Sequence, residues 1–244
     1  MNGRSRGIAL KHLIKYRKYI GLFLLITALN ALSVNAYAKY YPDNRDNVYV
    51  RLNTTEKVLA LTFDDGPHPT KTPQILDVLE KYGVKATFFM IGENVRLYPE
   101  VARKVAESGH EIGNHTYDHR SLYNMNDDEI KEQVRSCKEE IYSVTGKTAK
   151  LFRPPEGFMN DKIAFSMKDL GYNVILWGVD TYDWKGKSSF DIVKTVTDNT
   201  SGGDIILMHD YISKKSNTSK ALDVIIPLLI ERGYRFVCVS EFLC

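Results

Sequence analysis

The sequence predicts an α/β fold in which about seven parallel strands are covered by helices. Short apolar segments of strand type alternate with segments of helical period from residue 57 onward, a pattern typical of a parallel sheet with helices packed outside. The 206 residues that follow an N-terminal leader of 38 residues suit one α/β domain. The periodicity is compatible with a closed barrel and with an open sheet.

Each predicted strand is a short apolar segment, and each predicted helix has apolar residues repeating at the helical period. Strands are predicted over residues 58–63, 86–91, 110–113, 150–153, 173–179, 204–208 and 235–239. Helices are predicted over residues 73–82, 99–108, 127–145, 161–170, 190–199 and 220–232.

Several predicted helices carry start and stop signals. Pro73 and Pro99 suit first-turn positions, and Asn126 followed by Glu129 resembles a capping box. Pro227 should kink the last helix or mark its true start. Glycines occur where helices are predicted to stop, at Gly83, Gly109, Gly146, Gly171 and Gly233.

The N-terminal residues 1–38 have the pattern of a secretory signal peptide. Six basic residues and no acidic ones accompany an apolar stretch over residues 19–34, and Ala36-Tyr37-Ala38 provides a cleavage site. The stretch is shorter than the roughly 20 residues of a membrane-spanning helix, so we expect cleavage and export. The alternative is an uncleaved anchor over residues 19–38.

Residues 39–56 are predicted to be a short extension with one edge strand, and residues 57–240 are predicted to form the α/β domain.

The charge of the chain gives no indication of nucleic-acid binding. The sequence has 33 Lys and Arg and 30 Asp and Glu, a net charge of +3. Six basic residues belong to the leader, so the remainder carries a net charge of −3.

The three cysteines make no disulfide framework and are predicted to pack as small hydrophobic side chains, with a Cys238–Cys244 bridge as the alternative.

Polar side chains recur just beyond the C-terminal ends of the predicted strands. In parallel α/β folds these ends open on one face, and that face holds the active site. One aspartate after a strand usually forms a turn or caps a helix, but a set of this size indicates a shared cleft. The set comprises Asp64, Asp65, His115, His119, Arg153, Asp180, Asp183, Trp184, His209 and Asp210.

The histidines and aspartates of this set have the composition of a metal site. His115 and His119 are four residues apart, a spacing that would place both imidazoles on one face of a helical turn. With one carboxylate they would leave coordination positions open, as in a catalytic zinc site. Thr116 follows the first histidine, so this is not the HExxH motif of zinc proteases. The spacing alone is equally compatible with a structural role.

Asp64 and Asp65 are adjacent, and a cation explains why two carboxylates occur side by side. One of them would hold the cation, which relieves their mutual repulsion. The other would accept a proton from water that the cation makes more acidic. His209, across the cleft, would protonate the leaving group.

The motifs TFDDGP, HTYDH, RPPEG, DTYDW and LMH, in this order, resemble the five motifs of the NodB-like polysaccharide deacetylases, carbohydrate esterase family 4. The resemblance implies a distorted (β/α) barrel that removes N-acetyl groups from N-acetylhexosamine polymers. It also implies that Asp64 is the general base, and that Asp65, His115 and His119 bind the metal. Zinc is the first choice, and cobalt or nickel would suit the same ligands.

The resemblance implies further roles around these residues. Arg153 would orient the Asp64 carboxylate, and Asp183 would pair with the general acid His209 and favour its protonated form. A backbone N–H near Glu156 would face the oxyanion. The implied substrate contacts are Glu156, Gly157, Trp184 and Leu207, the last two as walls of the pocket for the acetyl methyl group. Many relatives have Tyr in place of Glu156, and we expect Glu to alter substrate preference without abolishing activity.

The sequence therefore predicts an exported, metal-dependent deacetylase acting on acetylated polysaccharide, either peptidoglycan or a chitin-like glycan. It would be secreted or associated with the cell wall, with no nucleic-acid partner and membrane contact only through an uncleaved leader. One alternative is a carbohydrate O-deacetylase. Another is an inactive glycan-binding homologue, against which the joint presence of Asp64, Arg153, Asp183 and His209 argues.

Overall fold

A computed structural model describes residues 47–211 and 216–243 of the chain. The predicted signal peptide over residues 1–38, the first part of the predicted extension and Cys244 lie outside the described residues. Val48 and Tyr49 form the edge strand that the extension was predicted to contain. Within the described ranges, no helix is both long and apolar enough to cross a bilayer.

The sheet of the described residues curls into a distorted barrel, as predicted. The strands are β1 Val48–Tyr49, β2 Val58–Asp64, β3 Thr87–Met90, β4 Glu111–Asn114, β5 Leu151–Phe152, β6 Asn173–Ile175, β7 Val179–Asp180, β8 Ile205–His209 and β9 Arg235–Phe236. They pair in the order β1-β6-β5-β4-β3-β2-β8-β7, with β9 beside the start of β2, and every ladder is parallel. An antiparallel bridge pairs Arg51, which follows the edge strand β1, with Asp204, which directly precedes β8.

The single strand predicted over residues 173–179 is divided into β6 and β7. The division falls at Leu176, whose carbonyl accepts a hydrogen bond from Arg153 Nη2 at 2.9 Å and is thereby withdrawn from a strand ladder. Gly178 follows, where an added Cβ would lie 2.8 Å from the Asp204 carboxylate. Pairing resumes at Val179, beside β8.

The helices are α1 Lys71–Lys81, α2 Gly92–Leu97, α3 Pro99–Glu107, α4 Asp127–Thr145, α5 Asp161–Asp169, α6 Ser189–Asn199 and α7 Thr218–Glu231. They agree with the predicted helices to within two residues at each end, apart from α2, a short helix directly before α3 that was not predicted. The Asn126–Glu129 capping box is present at the start of α4, and each glycine predicted to end a helix has a positive φ.

Pro227 lies inside α7 and does not mark its start, which is at Thr218. Proline has no N–H to donate to the carbonyl four residues earlier. That carbonyl belongs to Asp223, and it accepts a hydrogen bond from the Tyr82 hydroxyl at 3.0 Å. The side chain of Tyr82 therefore satisfies the group that the proline leaves without an intrahelical partner.

Strand β2 is buried along its whole length and separates two hydrophobic clusters. Leu59, Leu61 and Phe63 belong to the cluster shared with the helices, whereas Val58 and Ala60 belong to a smaller cluster with β3, β5 and β6 residues. Alternate residues of a strand point to opposite faces, so the even-numbered residues of β2 face the barrel interior. Asp64, at the end of this series, points into the barrel mouth.

We expect Asn126→Ala to lower the free energy of unfolding by about 1 kcal/mol, because the Asn126 side chain accepts from the Glu129 N–H at the start of α4. Urea unfolding monitored by circular dichroism measures the change. Asn126→Asp keeps an acceptor at the same position and should retain most of the stability. An equal loss in both variants would contradict the capping explanation.

Candidate active site

The two adjacent aspartates point in different directions because their backbones differ. Asp64 is the last residue of β2, whereas Asp65 has φ of 75°, a left-handed conformation that is uncommon for a residue with a side chain. The Asp65 carbonyl accepts from Asn94 Nδ2 at 2.7 Å. This turn directs the Asp65 carboxylate toward the loop that follows β4.

Asp65 meets the two histidines of the HTYDH motif. Its Oδ1 lies 3.4 Å from His115 Nε2 and 3.2 Å from His119 Nε2. One ligand atom from each residue lies within 4.8 Å of the others. Asp65 Oδ1 is buried and has no hydrogen-bond partner, as expected of an oxygen that serves a cation.

The histidines converge through a loop, so the prediction of a helical turn over this motif is wrong. Residues 115–119 contain no helix, and Thr116 and His119 have φ of 67° and 58°. The Asn114 side chain accepts from the Thr116 N–H, and the Thr116 hydroxyl accepts from the His119 N–H. These local hydrogen bonds offer the backbone an alternative to a helix.

The tautomer of His115 suits a metal ligand. Its Nδ1 lies 2.7 Å from the Arg153 carbonyl oxygen, which can only accept, so Nδ1 carries the proton. The lone pair of Nε2 is thereby directed at Asp65, the arrangement in which a backbone carbonyl orients a metal-binding imidazole.

The electrostatics of the triad favour a cation. Burial raises the pKa of Asp65, but the neighbouring His115 and His119 rings outweigh burial and hold the pKa well below its usual range. Burial lowers the pKa of His119, but the Asp65 carboxylate raises it by more, so the pKa lies above that of a free histidine. One carboxylate and two imidazoles are ligands that a divalent transition metal prefers. The residues present therefore fit such an ion.

Arg153, directly after β5, is fully buried and holds Asp64. Its Nη1 donates to Asp64 Oδ1 at 2.7 Å and to the Thr62 hydroxyl at 2.9 Å. Its Nε and Nη2 donate to the carbonyls of residues 175 and 176, each at 2.9 Å. Asp64 Oδ2 lies 3.8 Å from His115 Nε2 and so faces the triad. One oxygen of Asp64 is tied to the arginine, and the other faces the cleft.

His209 ends β8 and is the register partner of Asp64 across the β2–β8 ladder. Its Nδ1 lies 2.8 Å from Asp183 Oδ1, and its N–H donates to Asp183 Oδ2 at 2.9 Å. Thr218 also donates to Asp183, at 2.7 Å. Burial lowers the pKa of His209, but Asp183, together with the Asp64 and Asp65 charges, raises it to about 9. This imidazole is suited to donate a proton at neutral pH.

The four predicted substrate contacts lie within four residues of Arg153, Asp183 or His209 in the chain. Glu156 and Gly157 have φ of 59° and 67°, and an added Cβ on Gly157 would lie 2.5 Å from the Trp177 ring. Trp184 follows Asp183 and is 45% exposed. Leu207 is buried two residues before His209, so the two side chains leave β8 on the same face.

Some residues that support the site were not predicted to do so. Asn94 lies in the unpredicted helix α2, and Thr218 begins α7. Asp210 was grouped with the cleft residues but given no role. It is buried, accepts from the Thr72 hydroxyl at 2.6 Å, and has a pKa raised by burial to about 7. A Cβ at Gly66 would lie 2.1 Å from its Oδ2, so glycine is required there.

The two described histidines outside the motifs, His68 and His110, have structural roles. His110 is buried, lies edge-on to Phe88, and its Nδ1 accepts from the Ala86 N–H. His68 Nδ1 accepts from the N–H groups of Thr70 and Lys71 at the start of α1. Neither ring contributes to the cleft chemistry.

Comparison with known proteins gives matches to polysaccharide and peptidoglycan deacetylases. A family model described as polysaccharide deacetylase matches residues 51–175. A peptidoglycan-N-acetylglucosamine deacetylase of Bacillus cereus is 44% identical over 190 residues, which cover 77% of this chain and 89% of that protein.

Two solved structures resemble the chain over most of their length. The peptidoglycan N-acetylglucosamine deacetylase Bc1960 superposes with a TM-score of 0.78 at 36% identity, covering 80% of this chain and 92% of that one. A family 4 acetyl xylan esterase from Clostridium thermocellum, in complex with a cobalt ion, gives 0.71 at 35% identity, covering 76% and 90%. With the five motifs gathered at one barrel mouth, these matches show that the chain belongs to the polysaccharide deacetylase family.

Proposed function

We propose that this chain is an exported, metal-dependent N-deacetylase of peptidoglycan. The observation that carries the proposal is the separation of the two adjacent aspartates. Asp65 joins two histidines, whereas Asp64 is held by a buried arginine beside them. The similarity to a peptidoglycan-N-acetylglucosamine deacetylase supports the substrate class, and the leader over residues 1–38 supports export.

Asp65, His115 and His119 would hold the cation, with zinc as the first choice and cobalt or nickel as alternatives. A divalent ion there would supply Lewis acidity to the acetyl carbonyl and lower the pKa of a water molecule. The ligand atoms belong to two separate segments of chain, and the hydrogen bond from His115 to the Arg153 carbonyl fixes one ring before any ion binds.

Asp64 would act as the general base through its free oxygen. Arg153 occupies Oδ1, so the proton from water goes to Oδ2, which faces the triad. The arginine is itself held by three further hydrogen bonds, and this rigidity keeps the Asp64 carboxylate oriented. Pre-set orientation of a base lowers the entropy cost of reaching the transition state.

His209 would act as the general acid. Its raised pKa keeps the imidazole protonated at neutral pH, with Nδ1 donating to Asp183 and Nε2 free to donate to the leaving group. An amine leaves an amide only after it gains a proton, whereas an alkoxide leaves an ester more readily, so a donor that stays protonated at neutral pH suits amide cleavage. Trp184 and Leu207 would wall the pocket for the acetyl methyl group.

Ester hydrolysis is the second candidate activity, since an acetyl xylan esterase has a similar structure. Acetate release from peptidoglycan, acetylated chito-oligomers and acetyl-xylan, measured side by side with the zinc-loaded protein, separates the candidates. Release from the first two substrates supports N-deacetylation. Release from acetyl-xylan alone would overturn it, and release from none would favour an inactive glycan-binding homologue.

Replacing the base should abolish activity while leaving the metal site in place. We expect Asp64→Asn to lower kcat by about 10²–10⁴-fold, because the amide cannot accept the proton. Zinc affinity, measured by competition with a chelating dye, should remain close to that of the wild type. Asp65→Asn is the matched control and should weaken zinc binding strongly. If Asp64→Asn released acetate at the wild-type rate, the assignment of Asp64 as the base would be refuted.

The pH dependence of activity should report the ionisation of the general acid. His209 must be protonated to act, so activity falls as pH rises through its pKa, and a raised pKa moves that fall toward alkaline pH. Asp183→Asn removes the partner that stabilises the protonated ring, so the alkaline limb of kcat/KM should shift to lower pH. Thermal unfolding checks that the variant is folded. If the alkaline limb of kcat/KM is unchanged in a folded Asp183→Asn variant, His209 is not the general acid.

Glu156 should influence substrate choice. Its carboxylate is exposed and contributes to the raised pKa of His119, so it lies within electrostatic range of that ring. We expect Glu156→Tyr to retain activity but to change the ranking of the three substrates in kcat/KM, with Glu156→Gln as the control that removes only the charge. Unaltered rates and an unaltered ranking would show that this side chain is irrelevant.

A further inference from the structure

A pair of lysines and a pair of exposed aromatic rings surround Asp183, the residue that pairs with His209, at the cleft rim. Tyr182 and Trp184 flank Asp183 and are 39% and 45% exposed. Tyr182 has φ of 55°, a conformation that residues other than glycine seldom adopt. The backbone therefore presents both rings to solvent while Asp183, between them, stays buried against His209.

Both lysine ammonium groups lie over these rings. Lys185 Nζ is 4.6 Å from the centroid of the Tyr182 ring and 4.6 Å from that of the Trp184 ring. The two ring centroids are 6.5 Å apart at an interplanar angle of 52°, so the ammonium occupies the angle between them. Lys187 Nζ is 5.1 Å from the Tyr182 centroid. Contacts of this kind attract a cation to the face of a ring.

These two lysines are held by the rings and not by an ion pair. Among the residues that the structure describes, neither has a carboxylate within ion-pair distance, in contrast to exposed lysines such as Lys81 and Lys194. An exposed lysine normally loses considerable side-chain freedom when it binds an anion. The rings already restrict that freedom, so less is lost on binding.

We propose that Lys185 and Lys187, carried on the Tyr182–Trp184 rings, form a subsite for a carboxylate on the sugar next to the one that is deacetylated. In peptidoglycan that carboxylate belongs to the lactyl ether of the muramic acid or to the peptide attached to it. The inference rests on the proposed function and refines its substrate to a carboxylate-bearing glycan.

The test compares three substrates of equal length: peptidoglycan strands with free carboxylates, the same strands after their carboxylates are converted to amides, and neutral N-acetylglucosamine oligomers. The variant is Lys185→Gln/Lys187→Gln. Lys138→Gln/Lys147→Gln removes the same charge from two exposed lysines on and beyond α4, away from the cleft rim. Lys185→Arg/Lys187→Arg keeps the charge. Thermal unfolding confirms that each variant is folded.

For the rim variant we expect KM on the acidic strands to rise about tenfold with little change in kcat. KM on the amidated strands and neutral oligomers should stay within about twofold of the wild-type value, and the arginine variant should recover most of the loss. Added salt should weaken the wild-type preference for acidic strands and leave the rim variant nearly unaffected.

An equal KM rise on all three substrates, an unchanged KM on the acidic strands, or the same rise in the Lys138/Lys147 control would overturn the subsite. Calorimetric titration of zinc-loaded wild type and rim variant with acidic strands measures Kd without acetate release. A wild type that releases no acetate therefore refutes the proposed function alone, and the Kd ratio still decides for or against the subsite.

Discussion

The buried Arg153 guanidinium is the interaction on which the site depends. Burying an unpaired charge costs several kcal/mol, and here the charge is compensated by Asp64, Thr62 and two backbone carbonyls. The guanidinium also lies over the Phe89 ring at 4.2 Å. Its acceptors come from β2 and from the end of β6, while the arginine itself follows β5. One side chain thus joins three parts of the barrel mouth and holds the carboxylate that faces the cleft.

The same residue links the proposed base to the proposed metal ligands. The Arg153 carbonyl accepts from His115 Nδ1, so its side chain orients Asp64 while its backbone sets the tautomer of His115. The adjacent Asp65 reaches the histidines only because its backbone turns out of the strand at φ of 75°. Asn94 holds the Asp65 carbonyl in that turn. Two neighbouring carboxylates acquire different surroundings because hydrogen bonds fix different backbone conformations at successive residues.

The order of elements and the convergence of the Asp64–Asp65 pair with His115, His119 and Arg153 were predictable from the sequence, whereas the local geometry was not. Apolar segments and helical patterns depend on burial, which placed most elements within two residues, and the carboxyl ends of parallel strands necessarily share a face. The His115–His119 spacing suggested a helical turn, but the Asn114 side chain and the Thr116 hydroxyl bond to the backbone and stabilise a loop instead. The division of β6 from β7 depends on Arg153, which is distant in sequence, so no local pattern reveals it. Asn94 was missed for the same reason.

Strand order explains why the proposed base lies between the proposed metal ligands and the proposed acid. The sequence of neighbours β4-β3-β2-β8 places the HTYDH loop on one side of Asp64 and His209 on the other. Asp64 and His209 are register partners on adjacent parallel strands, where neighbouring chains are about 4.8 Å apart. The Asp183 pairing keeps His209 protonated beside a carboxylate that Arg153 holds in place. Donor and acceptor can therefore coexist without neutralising each other, because each is hydrogen-bonded to a separate partner that the barrel has already fixed.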